Sequence, residues 1–417
     1  MKLIGLLDCN NFFVSCERLF RPDLRKRPTV VLSSNDGVVV ARSQEVKDLG
    51  IPMGSPYFKV RDELQANKVA VFSSNFQLYS DISHRVMEVL KREVGEIEQY
   101  SVDEAFFIID DKESRIEDFL RKIRECILKE IGVPVSLGAG KTMTIAKYAS
   151  EREKKKSGVC VLVGKSWQKI TPEVAVSEIW GIGGQTSAKM RQHGIATVAD
   201  LLSADRARVE KLFGVHGLRL RSELSETPAH DIHERHGLQK SIMSTRSFAK
   251  ATTSLSVLED AVAYHVGEAG KELREIGGRA KSLRVLIRTS RHGDYFLRGG
   301  SDEVILPEAT SDTRILLREA LTLTQKLYQP DTPYKKAGVV LGHIEDASYK
   351  QFDLFQGEEE KGAAQILMRT VDSLNQKLGK DVVTIGRVRG AGAWKPSREH
   401  SSPRYTTNWS ELASVKA

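Results

Sequence analysis

The sequence predicts a multidomain α/β (α+β) protein, and three observations lead there. Its 417 residues exceed one ordinary core and point to about two to four domains. In the first half, stretches of two-residue apolar alternation and of helix-spaced apolar residues succeed each other. After Gln239 the same two periods recur in the order β-α-β-β-α-β.

Composition narrows the classes. A net charge of +8 and a pI near 9.1 suit a polyanionic partner. Cys9, Cys16, Cys126 and Cys160 form no CxxC pair and no zinc-ligand spacing, so they read as reduced thiols of a cytoplasmic protein. No signal-peptide pattern opens the sequence and no run of about eighteen apolar residues occurs, so secretion and membrane spanning are not expected.

Taken in order, the apolar run Leu3 to Leu7 reads as a buried strand ending at Asp8. Arg18 to Phe76 reads as a small α/β segment, with strands in "TVVLSS" and "GVVVARS" and a helix in "SQEVKDLG" stopped by Gly50 and Pro52. Ile82, Val86, Val89, Leu90 and Val94 predict a helix over 80–94, with Ser80 or Asp81 as its N-cap. In "IEQYSVDEAFFIID", Ile97 to Asp110, two short strands flank a tight turn that carries Asp103 and Glu104. Adjacent carboxylates repel each other and lose hydration where apolar strands meet, and a divalent cation relieves both costs. If the strands at 3–8, 97–102 and 105–110 are neighbours, Asp8, Asp103 and Glu104 supply three hard oxygen ligands for Mg²⁺, as two-metal phosphoryl transfer requires. A second helix over 116–131 would complete a sheet backed by two helices.

Further on, "GAGKTMT" (Gly138 to Thr144) is not a phosphate-binding loop, because Val135 stands where the first glycine is needed. The basic run Lys154, Lys155, Lys156 reads on its own as a solvated face. Between Trp180 and Leu202, Gly181, Gly183 and Gly184 precede a helix, and Gly194 precedes "TVADLL". His230, His233 and His236 fall in a charged stretch that reads as an exposed connector rather than a metal site. From Lys240 to Gly300 eleven Lys and Arg face six Asp and Glu, a local balance of +5. Arg246, Arg284 and Arg288 lie on predicted strands, where alternate side chains can line one face against phosphates. "QFDLF", Gln351 to Phe355, suits an apolar pocket on a partner, and a helix-like stretch follows over 362–378.

"DCNNFFVSCE" (Asp8 to Glu17) and "YSVDEAF" (Tyr100 to Phe106) resemble the two carboxylate motifs of Y-family translesion DNA polymerases. "FRPDL", "VVLSSNDGVVVARS", "LGIPMGSPYF", "FSSNFQLYSDIS" and the terminal "SPRYTTNWSEL" are similar to the UmuC branch of that family, in the expected order along nearly the whole sequence. The resemblance implies a right-hand polymerase: a ferredoxin-like palm (1–17 and 77–165), small fingers (18–76), a helical helix-hairpin-helix thumb (166–238), a β-α-β-β-α-β little finger (239–348) and a partner-binding tail (349–417).

The same resemblance implies the site. Asp8 and Asp103 would bridge two Mg²⁺ ions, with Glu104 and the Cys9 carbonyl completing their shells. Phe12 and Phe13 would lie beside the nucleotide, Phe13 as the steric gate beneath the sugar where the branch usually carries Tyr. Lys47, and either Lys154 or Lys155, would reach the triphosphate; spacing to Lys147 favours the first and spacing to Gly158 the second. Gly181, Gly183 and Gly184 would present amides to DNA phosphates, and Gln351, Leu354 and Phe355 would bind the sliding clamp. Implied partners are primer-template DNA, deoxynucleoside triphosphates, the clamp, a UmuD′-like dimer and RecA. The implied activity is error-prone synthesis past damaged bases in the SOS response, and the assigned segments leave no stretch for a proofreading nuclease. Two other readings explain less. A nucleotidyl cyclase leaves the thumb-like and basic segments without a role, and a DNA-bound scaffold has no use for three converging acids.

Overall fold

The computed structural model describes residues 2–110, 115–154, 156–229, 237–290, 299–348, 358–378, 382–386, 394 and 398–412. The protein forms two compact units, Met1–Glu234 with Glu399–Ala417, and Arg235–Arg398.

In the first unit β1 (Lys2–Cys9) turns into α1 (Phe12–Phe20) through Asn11, whose φ of 47° lies in the left-handed region. β2 (Thr29–Leu32), β3 (Val39–Arg42) and β4 (Ala70–Ser73) make a small sheet in the order β3-β2-β4. Two helices, α2 (Gln44–Asp48) and α3 (Tyr57–Ala66), connect β3 to β4, and a separate core of Val30, Leu32, Val39, Val46, Ile51 and Leu64 holds this sheet. Next come α4 (Phe76–Val94), β5 (Ile97–Gln99), β6 (Glu104–Asp110), α5 (Ile116–Glu130), β7 (Val135–Gly140), α6 (Met143–Arg152) and β8 (Val159–Leu162).

The central sheet has the order β5-β6-β1-β7-β8. Side chains alternate across its faces. Leu3, Leu7 and Cys9, with Ala105, Phe107 and Ile109, pack into one core with Val86 and Leu90 of α4 and Leu120, Ile123 and Ile127 of α5, the two expected backing helices. Leu6 and Phe106 point the other way, onto Met143 and Ala146 of α6.

Two expectations are corrected here. The helix expected from residue 80 begins at Phe76, and its cap is Asn75, whose side chain accepts from the Leu78 amide at 3.3 Å. Leu78 and Tyr79 are buried and carry the apolar stripe one turn earlier than the Ser80–Asp81 signal suggests. The sheet also carries a third helix, α6, which its sequence pattern did not reveal. "GAGKTMT" is where β7 passes beneath α6: a Cβ on Gly138 would stand 2.2 Å from the Ala146 carbonyl oxygen and from the Ser150 amide nitrogen. The Thr144 amide at the start of α6 donates to Glu223 Oε2 at 3.1 Å, so this helix end has its acceptor within the fold.

The first unit continues with α7 (Lys165–Ile170), α8 (Gly184–Gln192), α9 (Val198–Ser203) and α10 (Arg206–Leu224), which breaks at Gly214. Thr197 and Asp200 form a reciprocal capping box on α9.

The second unit is the anticipated β-α-β-β-α-β: β9 (Ser241–Thr252), α11 (Leu255–Glu275), β10 (Gly278–Thr289), β11 (Gly299–Thr310), α12 (Thr313–Leu327) and β12 (Tyr334–Asp346). Its antiparallel sheet has the order β11-β10-β12-β9. Leu283, Val285 and Ile287 of β10 pack with Leu258, Val262 and Val266 of α11 and Leu316 and Ala320 of α12, which leaves the opposite sheet face without helices of this core. A further helix, α13 (Glu358–Leu378), is tied to α11 by the paired contacts of Arg274 with Asp372 at 2.6 and 2.8 Å.

Candidate active site

The strand register brings the acids together. β1 and β6 pair antiparallel with Asp8 opposite Glu104, and the Cys9 amide donates to the Asp103 carbonyl at 2.9 Å. Being on the face of Leu6 and Phe106, Asp8 and Glu104 look toward α6. Their side chains are only 13% and 15% exposed. Asp103, in the turn before β6, accepts from Ser101 Oγ at 2.7 Å.

Two lysines answer these charges. Lys154 Nζ lies 2.9 Å from Asp8 Oδ1, and Lys147 Nζ lies 2.6 Å from Glu104 Oε2. Lys147 also sits over the Tyr100 and Trp180 rings, at 5.2 and 5.4 Å from their centroids. Burial holds the Asp8 carboxyl well above the usual carboxylate range, against the opposing pull of the Lys154 ammonium and with the Glu104 charge adding to the rise. Even with both lysines in place the pocket is short of positive charge. Carboxylate oxygens and exposed backbone carbonyls are also the donor set that hard divalent cations take. Among the described residues no three His, Cys, Asp or Glu side chains stand at metal-binding distances from a common point. The residues fit the cations in donor chemistry, while the side chains as they stand are held by Lys154, Lys147 and Ser101 instead of converging on one point.

Lys147 was not singled out from sequence. No periodic signal marks it: Lys147 lies on α6 but Lys154 falls in the turn past the helix end at Arg152, so only the tertiary fold brings both to the acids. Of the two triphosphate candidates, Lys154 is the one found beside Asp8, and Lys155 lies outside the described residues. Lys47 is half-buried in the last turn of α2.

Beside the acids, α1 starts with Phe12 and Phe13. Phe12 is buried, while the half-buried Phe13 ring stacks on Tyr79 at 4.4 Å and 14° and meets Phe76 edge-on at 5.9 Å. The Tyr79 hydroxyl donates to Glu17 Oε1 at 2.8 Å.

Gly181, with φ of 88°, makes the turn before α8, and Gly183 and Gly184 open the helix with open space around both. The first amides of α8 have no side-chain cap.

In the second unit one expectation fails. Arg284 and Arg288 are exposed on the sheet face away from α11 and α12, but Arg246 is on the covered side, with its guanidinium 5.8 Å from the Tyr264 ring centroid. The register explains the split, since Arg246 is opposite Ala337, and Ala337 opposite the buried Ile287. Lys336 takes the third place instead, directly across from Arg288. Arg284 is paired with Glu303 at 2.7 Å. Gln351, Leu354 and Phe355, and His230, His233 and His236, lie outside the described residues.

Comparison with known proteins agrees with this geometry. The impB/mucB/samB family profile matches residues 7–151, its C-terminal domain profile matches 239–354, and a domain of unknown function (DUF4113) matches 365–415. Protein UmuC of Salmonella typhimurium is 35% identical across 99% of this chain and 100% of its own length. Protein SamB of the same species is 34% identical over equal shares, and a DNA polymerase IV of Corynebacterium diphtheriae is 28% identical over 82% of this chain and 75% of its own. Among solved structures, the "Y-family DNA polymerase chimera Dbh-Dpo4(243-245)-Dbh" shares the fold with a TM-score of 0.66, at 22% identity over 82% of this chain and 99% of its own. No helix among the described residues is long and apolar enough to cross a membrane. Full-length likeness to UmuC and SamB, on a sheet that sets two acids opposite each other, makes this chain a member of the impB/mucB/samB family, the UmuC-type Y-family of error-prone DNA polymerases of translesion synthesis.

Proposed function

We propose that the chain joins a primer 3′-hydroxyl to the α-phosphate of an incoming deoxynucleoside triphosphate with release of pyrophosphate, and that Asp8, Asp103, Glu104 and the Cys9 carbonyl would hold two Mg²⁺ ions for it. The observation that carries this is the β1–β6 register, with Asp8 opposite Glu104 and the Asp103 carbonyl on the Cys9 amide. When bound, the ions supply charge neutralisation and a lowered hydroxyl pKa. The residues of the chain do the rest. Lys154, beside Asp8, would give its ammonium to the β and γ phosphates of a bound nucleotide. Lys147 holds the Glu104 carboxylate in one orientation against Tyr100 and Trp180. Amides at the start of α1 face the phosphates, Phe12 packs behind, and the Phe13 ring lies under the sugar so that a 2′-hydroxyl collides with it. Lys47 adds a cation from α2.

In this reading the central sheet is the palm (1–17 and 77–165), the small sheet the fingers (18–76), the helices α7 to α10 the thumb (166–238) and the second sheet the little finger (239–348). Gly181, Gly183 and Gly184 bring the α8 amides to DNA phosphates, and Arg284, Arg288 and Lys336 form a basic strip for the duplex. Arg246 supports that strip from behind. Gln351, Leu354 and Phe355 engage the sliding clamp, and the tail meets a UmuD′-like dimer and RecA in the cytoplasm.

Primer extension by wild type and Asp103→Ala, with and without those partners, tests the site. Loss of extension by at least about a thousandfold with primer-template binding retained is expected. Extension by Asp103→Ala within tenfold of wild type would refute the assignment.

A further inference from the structure

Residues 399–412 return to the first unit as a strap along its small sheet. The Ser73 amide donates to the His400 carbonyl at 2.9 Å and the His400 amide to Ser73 Oγ at 3.0 Å, so a parallel bridge between Ser73 and Ser401 extends the sheet beyond β4. Aromatic contacts anchor it on both sides. His400 Nε2 is 3.3 Å from the Tyr57 hydroxyl, and the Tyr405 ring stacks on Phe20 at 4.6 Å and 4°.

Between these anchors the buried Ser402 reaches the support of the Phe13 ring. Its hydroxyl donates to Glu17 Oε1 at 3.1 Å and accepts from Asn75 Nδ2 at 3.0 Å. Glu17 Oε1 is the atom that also accepts from Tyr79, whose ring underlies Phe13, and Asn75 is the cap of α4, which carries Tyr79. Glu17 is wholly buried, and among the described residues its Oε2 has no hydrogen-bond partner. The two hydroxyls on Oε1 therefore decide where this carboxyl sits.

We infer that the C-terminal strap is a positioning device for nucleotide sugar selection: Ser402 holds Glu17, Glu17 holds the Tyr79 hydroxyl, and the Tyr79 ring fixes the tilt of Phe13. The inference rests on the reading of Phe13 as the ring beneath the sugar. It gives a role to part of a stretch, 365–415, that matches a profile of unknown function. Steric refusal of a 2′-hydroxyl depends on a ring that does not yield, and a ring stacked on a freely tilting neighbour yields.

The test uses the full chain in whichever assembly extends a primer. The ratio of kcat/KM for a deoxynucleotide to that for the matching ribonucleotide is measured for wild type, Ser402→Ala, Ser402→Thr and Phe13→Ala. Ser402→Ala is expected to lower the ratio about threefold to tenfold, the range of one lost hydrogen bond of ordinary net strength, while Ser402→Thr keeps it. General loosening of the fold lowers both rates together and leaves the ratio unchanged. Tyr405→Leu, which leaves the Ser402 hydroxyl in the chain but loses the ring stacked on Phe20, is the second variant and should shift the ratio the same way. If Phe13→Ala admits ribonucleotides while Ser402→Ala and Tyr405→Leu keep the wild-type ratio, the strap inference is wrong and the gate stands. If Phe13→Ala itself leaves the ratio unchanged, the gate reading falls and takes the strap's role with it.

Discussion

Glu17→Gln should change how stability depends on pH. Burial pushes the Glu17 carboxyl up from 4.5 to about 7, with the hydroxyls of Tyr79 and Ser402 pulling the other way. A carboxyl raised in the folded state binds its proton more tightly there than in the unfolded chain. Its contribution is therefore fully present below pH 4.5 and is lost as pH rises through about 7. The shift of 7 − 4.5 = 2.5 pH units, at about 1.36 kcal/mol each, corresponds to roughly 3 kcal/mol lost by pH 8. Glutamine keeps the shape and an oxygen for both hydroxyls but carries no charge to desolvate. Urea denaturation of both proteins from pH 5 to pH 8, followed by far-UV circular dichroism, gives the difference in stability directly, because every other titrating group cancels in it. The variant should match wild type within about 1 kcal/mol at pH 5 and exceed it by roughly 2–3 kcal/mol at pH 8. A difference that stays constant across this range would show that the buried acid is stabilised in its ionised form, and the reasoning would fail.

Three further outcomes are expected. Gly138→Ala forces a methyl group into the backbone of α6 and should destabilise the first unit by about 1–3 kcal/mol or more, read as a lowered urea midpoint; an unchanged midpoint would mean that α6 does not pack as described. Lys154→Ala should raise KM for the incoming nucleotide by roughly tenfold or more while lowering kcat less, in steady-state primer extension; an unchanged KM would remove Lys154 from the triphosphate. Arg288→Ala and Lys336→Ala should each flatten the log–log salt dependence of primer-template binding by about 1, and Arg246→Ala should not, since its guanidinium lies on the helix-covered side; equal effects from all three would contradict the facing derived from the register.

Much of the fold was legible because local periodicity is a property of single segments. The apolar run Ala105 to Ile109 after a polar bend marks β6, the helical spacing of Val86, Val89 and Leu90 marks α4, and the order of the second unit follows from period-2 and helix-spaced stretches. The acids were legible because Asp8 closes an apolar run and Asp103 and Glu104 occupy a bend between strands. Of their lysine partners, Lys154 was legible only as one of two triphosphate candidates, and Lys147 was not. Lys147 has no meaning until α6 lies across the sheet, and α6 lies there because Gly138 leaves room for its backbone and Glu223, 79 residues further on, takes the Thr144 amide. Arg246 was misread because a strand tells which residues alternate, not which of its two faces the helices will cover.

The sequence by itself determined the family and the β-α-β-β-α-β order of the second unit and marked the candidate acids, since each is written in residue type and short-range spacing. Only the tertiary structure decided which atoms meet: Asp8 against Glu104, Lys154 against Asp8, and Ser402 against Glu17 across 385 residues. Such pairings depend on strand register and on the packing of distant segments, and a shift of one residue in a strand sends every side chain to the opposite face.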